Sequence, residues 1–267
     1  MEESENIPID MRIDAVLSDI FPSARKALIS LPFLVVLLFA SLNVLRYNYF
    51  LAELSVVSDY HFKNPSLTAR FNTVVTFASA CGVPIAFLCG VVIDKLRSKY
   101  SPNIENLLKR NVSRERNEAI LWNNALPSAI SMYICAIFEL LLSCLILVPY
   151  EAAYYVNFVF FILMRGFLFS TVMVNLFSIV PVAHFGTVYG IGTSIVGVFS
   201  CLQYALLKLS PTNADICVLV VATLSFIPPS VILTMALKTR RKTLLVSEID
   251  DNISKESGQE EDINIVL

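Results

Sequence analysis

Three charged side chains interrupt stretches that are otherwise apolar: Arg46, Glu139 and Arg165. A charge at the centre of a hydrophobic helix costs about 2.5–3.5 kcal/mol on insertion scales, so such groups turn toward a bundle interior or a water-filled cavity. Around the first of them the sequence reads Asn43-Val44-Leu45-Arg46-Tyr47-Asn48-Tyr49-Phe50. On a helix Arg46, Tyr49, Phe50 and Glu53 share one face. A guanidinium can hold a carboxylate through two parallel N–H bonds, and tyrosine or phenylalanine can flank an apolar group. Asn43, Arg46, Tyr47, Tyr49, Phe50, Glu139, Arg165 and Gln203 are therefore candidates to line a cavity for a small polar or zwitterionic solute. The competing reading is an internal ion pair, for example Glu139 with Arg165, that only fixes how helices pack.

Other polar and small residues recur at helical spacing. Asn72, Thr76 and Ser79 could line a polar path or act as hydrogen-bonding glue between helices. Gly186, Gly190, Ser194 and Gly197 form a stripe of small residues that would let two helices approach closely. Pro84 and the pair Pro228-Pro229 should bend their helices. Only two histidines occur, His61 and His184, and the six cysteines have no metal-ligand spacing. The cysteines lie in or beside apolar runs and read as buried thiols packing as small hydrophobes. No Ser-His-Asp order and no phosphate-cradling loop is visible. The sequence reads as a non-enzyme with no metal and no cofactor.

These residues must be positioned by elements that live in lipid. The chain has 267 residues, 56% of them hydrophobic and 16% charged. A soluble domain carries charge on about a quarter of its residues, so this chain could not cover its own surface in water. A bilayer core about 30 Å thick needs about 20 helical residues. Six such runs are present, near 28–52, 71–93, 127–149, 155–180, 187–209 and 215–237. The pattern predicts an all-α polytopic protein with six transmembrane helices over 28–237. An N-terminal segment, 1–27, reads as mobile or interfacial, and a disordered tail follows, 238–267. The net charge of −2 gives no basic field for nucleic acid. No cleavable signal peptide is visible, and the first apolar run would direct insertion.

Lysine and arginine gather in the N-terminal flank, in the 94–126 loop and after residue 237, whereas the connections at 53–70 and 150–154 hold few or none. Such residues favour the cytoplasmic side, so both termini and the long loop are expected there. Within that loop Ser101-Pro102 reads as a helix start, opening a short amphipathic helix on the membrane surface, and a solvated charged loop is the equal alternative. The sequon-like triplets at Asn111 and Asn252 would then escape glycosylation, and the one at Asn64 holds the forbidden proline, Pro65.

The stretch Gly90-Val91-Val92-Ile93-Asp94-Lys95-Leu96-Arg97 resembles the loop signature of the major facilitator superfamily, although Arg97 replaces its second glycine. Leu42 to Phe50, Met164 to Ser170, Pro181 to Gly190, Leu202-Gln203 and Ile227 to Ser230 are similar to the helices and turns of solute carrier family 43. The resemblance runs from about residue 25 to residue 242 and covers only the C-terminal half of such a protein. It implies one six-helix bundle of the facilitator fold, with Gly90, Asp94, Lys95 and Arg97 as a gating loop. The activity it implies is sodium-independent facilitated uniport at the plasma membrane, with large neutral amino acids first among substrates and nucleobases as the alternative. Glu139 departs from the family in replacing an expected neutral residue. The expected partners are the lipid bilayer, a small-molecule substrate and a complementary six-helix half or full-length relative. A non-transporting membrane interaction or regulatory subunit is the reading from a different class.

Overall fold

The computed structural model describes residues 7–109, 113–148 and 150–243, and among these every regular element is a helix. Residues 1–6, Asn111-Val112 and the tail from 244 onward, with the triplet at Asn252, lie outside the described residues. The helices are α1 (Ile9–Ile20), α2 (Ala24–Leu28), α3 (Leu31–Phe62), α4 (Pro65–Ala80), α5 (Gly82–Leu108), α6 (Arg114–Leu145), α7 (Glu151–Ile179), α8 (Val182–Ser200), α9 (Gln203–Leu206) and α10 (Pro211–Leu224). A further helix, α11, covers residues 227–243. Five spans are long and apolar enough to cross a bilayer, and α4 with α5 make a sixth if that bent pair is one span. The chain is thus an all-α polytopic bundle.

Helices rather than loops occupy most of the polar connections. The 53–70 segment is almost entirely helical, because α3 continues to Phe62 and turns at Lys63, whose φ of 50° ends it in a left-handed cap. Asn64 then caps α4 with its side chain, and Pro65 opens that helix without wasting a donor. Among its described residues, the 94–126 segment holds no separate surface helix. Pro102 sits inside α5, which runs unbroken to Leu108, and Ser113 caps α6 by accepting from the Arg116 N–H. Asn123 and Asn124 are buried in the bundle rather than set in a loop. The last helix likewise runs to residue 243, six residues past the expected end at 237.

The N-terminal segment is not loose along α1. Ile13, Val16 and Leu17 are buried against the bundle. The polar face of α1 reaches three spans: Asp10 pairs with Arg97 of α5 at 2.7 Å, Asp19 accepts from Asn117 of α6 at 3.2 Å, and Asp14 accepts from the Val182 N–H at 2.9 Å. That last contact places a carboxylate on the first turn of α8, where unpaired donors and the helix dipole favour negative charge.

The centre of the bundle is α6 against α7. Their contact carries a ladder of polar side chains: Asn124 donates to the Ser178 carbonyl (2.8 Å), Ser128 to Asn175 (2.7 Å), and Ser131 shares a hydrogen bond with Thr171 (2.6 Å). A second seam is aromatic. Phe50 and Tyr47 of α3 stack on Phe161 of α7, and Phe71 of α4 stacks on Tyr154.

The close helix approach is not where the small-residue stripe suggested. Gly186, Gly190, Ser194 and Gly197 are exposed, and a methyl built on any of these three glycines would meet nothing within 4 Å. The rest of the chain packs against the other side of α8, where Gly192 faces Phe33. The glycine that permits contact is Gly166 of α7, whose Cβ would lie 2.5 Å from Ile85 of α5. Only two of the six cysteines, Cys89 and Cys135, are buried. Gly166→Ala should therefore destabilise the bundle by about 1–3 kcal/mol through overpacking, read as a lower unfolding temperature of the purified protein. Gly90→Ala, which has free space, should leave that temperature unchanged.

Candidate functional site

Arg46 lies in the middle of α3, 1% exposed. Its Nη1 donates to Glu53 Oε1 at 2.8 Å, two turns along the same helix, and its Nε donates to Ser143 Oγ of α6 at 3.0 Å. The guanidinium also stands over the Phe50 ring, 5.5 Å from its centroid. Seven residues is nearly two helical turns, so the pair forms on one face without strain. Tyr49 and Asp215 of α10 border the Glu53 carboxylate, and Tyr49 packs on Ala214 and Val218.

Asn43, one turn before Arg46, joins the cluster to other spans. Its Nδ2 donates to the Phe39 carbonyl and, at 3.4 Å, to Ser225, while its Oδ1 accepts from Cys135 Sγ at 3.4 Å. Ser225 belongs to the break at residues 225–226, just ahead of Pro228-Pro229. Glu139 sits between Cys135 and Ser143 on α6, one turn from each, and both of those neighbours touch α3. Glu139 is fully buried, and its carboxylate, near Ser225, makes no hydrogen bond of good geometry. Arg46 Nη2 and Glu53 Oε2 are likewise buried without one.

The expected Glu139–Arg165 pair does not form. Arg165 of α7 donates instead to the Ser79 carbonyl at 3.1 Å and lies over the Tyr47 ring at 5.7 Å. Its position has a local cause. Pro84 has no N–H to give the Ala80 carbonyl, and the α4–α5 pair bends there by 44°. A bend frees carbonyls at the end of α4, and a cation at a helix C-terminus satisfies them. Tyr47 and Arg165 thus brace the bend, while Asn43, Arg46, Tyr49 and Glu139 gather on the α6–α10 side, and Phe50 lies beside Arg46 and against Phe161 of α7.

Other candidates fall elsewhere. Gln203 lies in α9, partly exposed. Asn72 and Thr76 face outward on α4, and the Thr76 and Ser79 hydroxyls bond carbonyls of their own helix, so they glue nothing within this chain. In the loop motif Arg97 holds Asp10, Asp94 borders the same cleft, and Lys95 is exposed. Gly90 has open space around it.

Two features were missed in the sequence. The α6–α7 ladder was written as Asn124, Ser128 and Ser131 at helical spacing and could have been read. An apolar cavity of about 320 Å³ between α3, α7 and α8 had no such signal, because its walls (Val36, Val44, Leu168, Val172, Val196) look like any lipid-facing residues. Asn48 and Thr193 add polar groups at its edge.

No family model matches this chain, and no curated protein and no solved structure shows significant similarity to it. The fold and the site define a multi-pass α-helical membrane protein with a charged cluster at its core.

Removing one member of a buried ion pair strands the other, at a cost of about 3–5 kcal/mol. Arg46→Ala should therefore lower the amount of folded protein in membranes, measured by size-exclusion chromatography of detergent extracts. Arg46→Met combined with Glu53→Leu should restore most of it.

Proposed function

We propose that the chain is one six-helix half of a facilitative transporter for small solutes, and that its solutes are large neutral amino acids. The observation that carries this reading is the set of buried polar atoms without partners around Arg46, Glu53 and Glu139. In hydrocarbon each such atom is costly, and intramembrane ionisable groups mark substrate and ion pathways. A zwitterion brings an ammonium for the unpartnered oxygens of Glu53 and Glu139 and a carboxylate for Arg46 Nη2. The apolar cavity supports the choice of a large neutral side chain, since Val44 and Asn48 in its wall flank the Arg46 turn of α3. Transporters of this architecture hold substrate between two bundles that rock around it, so a complementary half or a full-length relative completes the site.

In this reading the protein lies in the plasma membrane with both termini in the cytoplasm, and Asn64 faces outside. Impermeant thiol labelling in intact cells should leave Lys109→Cys unmodified and mark Asn64→Cys. Labelling of position 109 from outside would reverse the topology.

Burial of Arg46 in a closed pair favours a second reading, in which the cluster only fixes packing and the chain is a non-transporting membrane subunit. The doubly substituted Arg46→Met/Glu53→Leu protein separates the two. Expressed with a second six-helix half at equal surface abundance, it should lose saturable uptake of labelled leucine and phenylalanine by about tenfold or more, the worth of one hydrogen bond to a charged group. Arg46→Lys should restore little, because an ammonium cannot reproduce the planar fork. Normal uptake by the double variant would leave the cluster a purely structural role. The isolated chain should insert and transport nothing.

A further inference from the structure

A cleft of about 370 Å³ opens where α3, α6 and α11 meet at the basic end of the bundle. Its floor is apolar: Phe21, Pro32, Leu121 and Trp122 are buried, and Met235 is half-buried. Its rim carries Lys238 and Lys242, four residues apart and so on one face of α11. Glu118 also borders it, but that carboxylate is paired with Arg114 Nε at 3.4 Å. Ser30, the cap of α3, adds a hydroxyl that already donates to the Ala27 carbonyl.

The depth of this cleft is set by the spans around it. Leu31 opens the first span and lines the cleft, and the apolar run of the last span gives way to Lys238, Arg240, Arg241 and Lys242. The cleft therefore sits at the level of lipid headgroups, where tryptophan and lysine anchor membrane proteins. Its volume is within the range of small-molecule sites, about 300–1,000 Å³. An apolar floor with a cationic rim at that depth is complementary to a molecule with a hydrocarbon body and an anionic head. A free anion would satisfy the lysines and leave the floor wet.

We infer that this cleft binds one anionic phospholipid, with its phosphate between Lys238 and Lys242 and its glycerol and upper acyl carbons on Trp122 and Phe21. Basic pockets between spans are a known means of headgroup recognition, and each lysine near an anionic surface is worth about fivefold in binding. The inference needs the membrane bundle alone and stands whether or not the chain transports a solute.

Trp122 is the chain's one tryptophan, so its fluorescence reports directly on the cleft. The full chain would be reconstituted in phosphatidylcholine vesicles containing increasing fractions of brominated phosphatidylserine or brominated phosphatidylcholine. Brominated phosphatidylserine should quench at a several-fold lower mole fraction. Lys238→Gln with Lys242→Gln should erase that preference, whereas Arg240→Gln with Arg241→Gln, which removes equal charge away from the cleft, should preserve it. Equal quenching by the two lipids would overturn the inference. So would an equal loss in both double variants, which would mark a diffuse charge effect. Relief of quenching by inorganic phosphate at the affinity of the lipid would show a site for the free anion instead, and would also overturn it.

Discussion

Hydrocarbon offers no hydrogen bonds, so every polar atom that enters it must bring a partner or find one on a neighbouring helix. In this chain α6 meets that condition along most of its length, with the Glu139 carboxylate the main exception. It carries Asn124, Ser128 and Ser131 toward α7, and Cys135, Glu139 and Ser143 toward α3 and the break after α10. Two sets of polar side chains on one helix thus fix its rotation against two neighbours at once. Membrane helices gain little from burying apolar surface against each other, because lipid is as apolar as they are. Hydrogen bonds and close packing at Gly166 supply the specificity instead.

The same condition explains why the charges fall into two groups. Arg46 and Arg165 both lie within spans, yet each answers a different deficit. Arg165 caps carbonyls released where the α4–α5 path bends, and Tyr47 supports it through its ring. Arg46 answers carboxylates, holding Glu53 and lying near Glu139. The two sites sit on either side of Tyr47 in α3, so this helix carries a brace on one flank and a charged cluster on the other. The apolar cavity against α8 lies on the same helix, within one turn of both.

Five spans and the bent α4–α5 pair were legible because hydropathy summed over about 20 residues is a one-dimensional property. The helical ends beyond them were not. Polar residues such as those of 53–62 and 94–108 form helix as readily outside a bilayer as apolar ones do within it, and hydropathy cannot tell such an extension from a loop. Arg46 was conspicuous through its insertion cost, and Glu53 shared its face by spacing alone. The pairing of Glu139 with Arg165 could not be judged that way, because it depends on the rotation of α7 against α6, which the Asn124–Ser131 ladder sets. The glycine stripe misled for a related reason. Spacing shows that small residues share a face, and only the packing tells whether a helix lies against it.

The strap formed by α1 has a consequence for how the protein is made. Its three aspartates precede every span, but their partners lie at Arg97, Asn117 and Val182. Asp14 cannot meet the start of α8 until more than half of the chain has been synthesised and the first four crossings are in place. Until then the apolar face of Ile13, Val16 and Leu17 lacks the complete surface that it covers in the folded protein. The first described helix of the chain thus reaches its native position only after helices far along the sequence, and its docking joins the ends of segments made at different times.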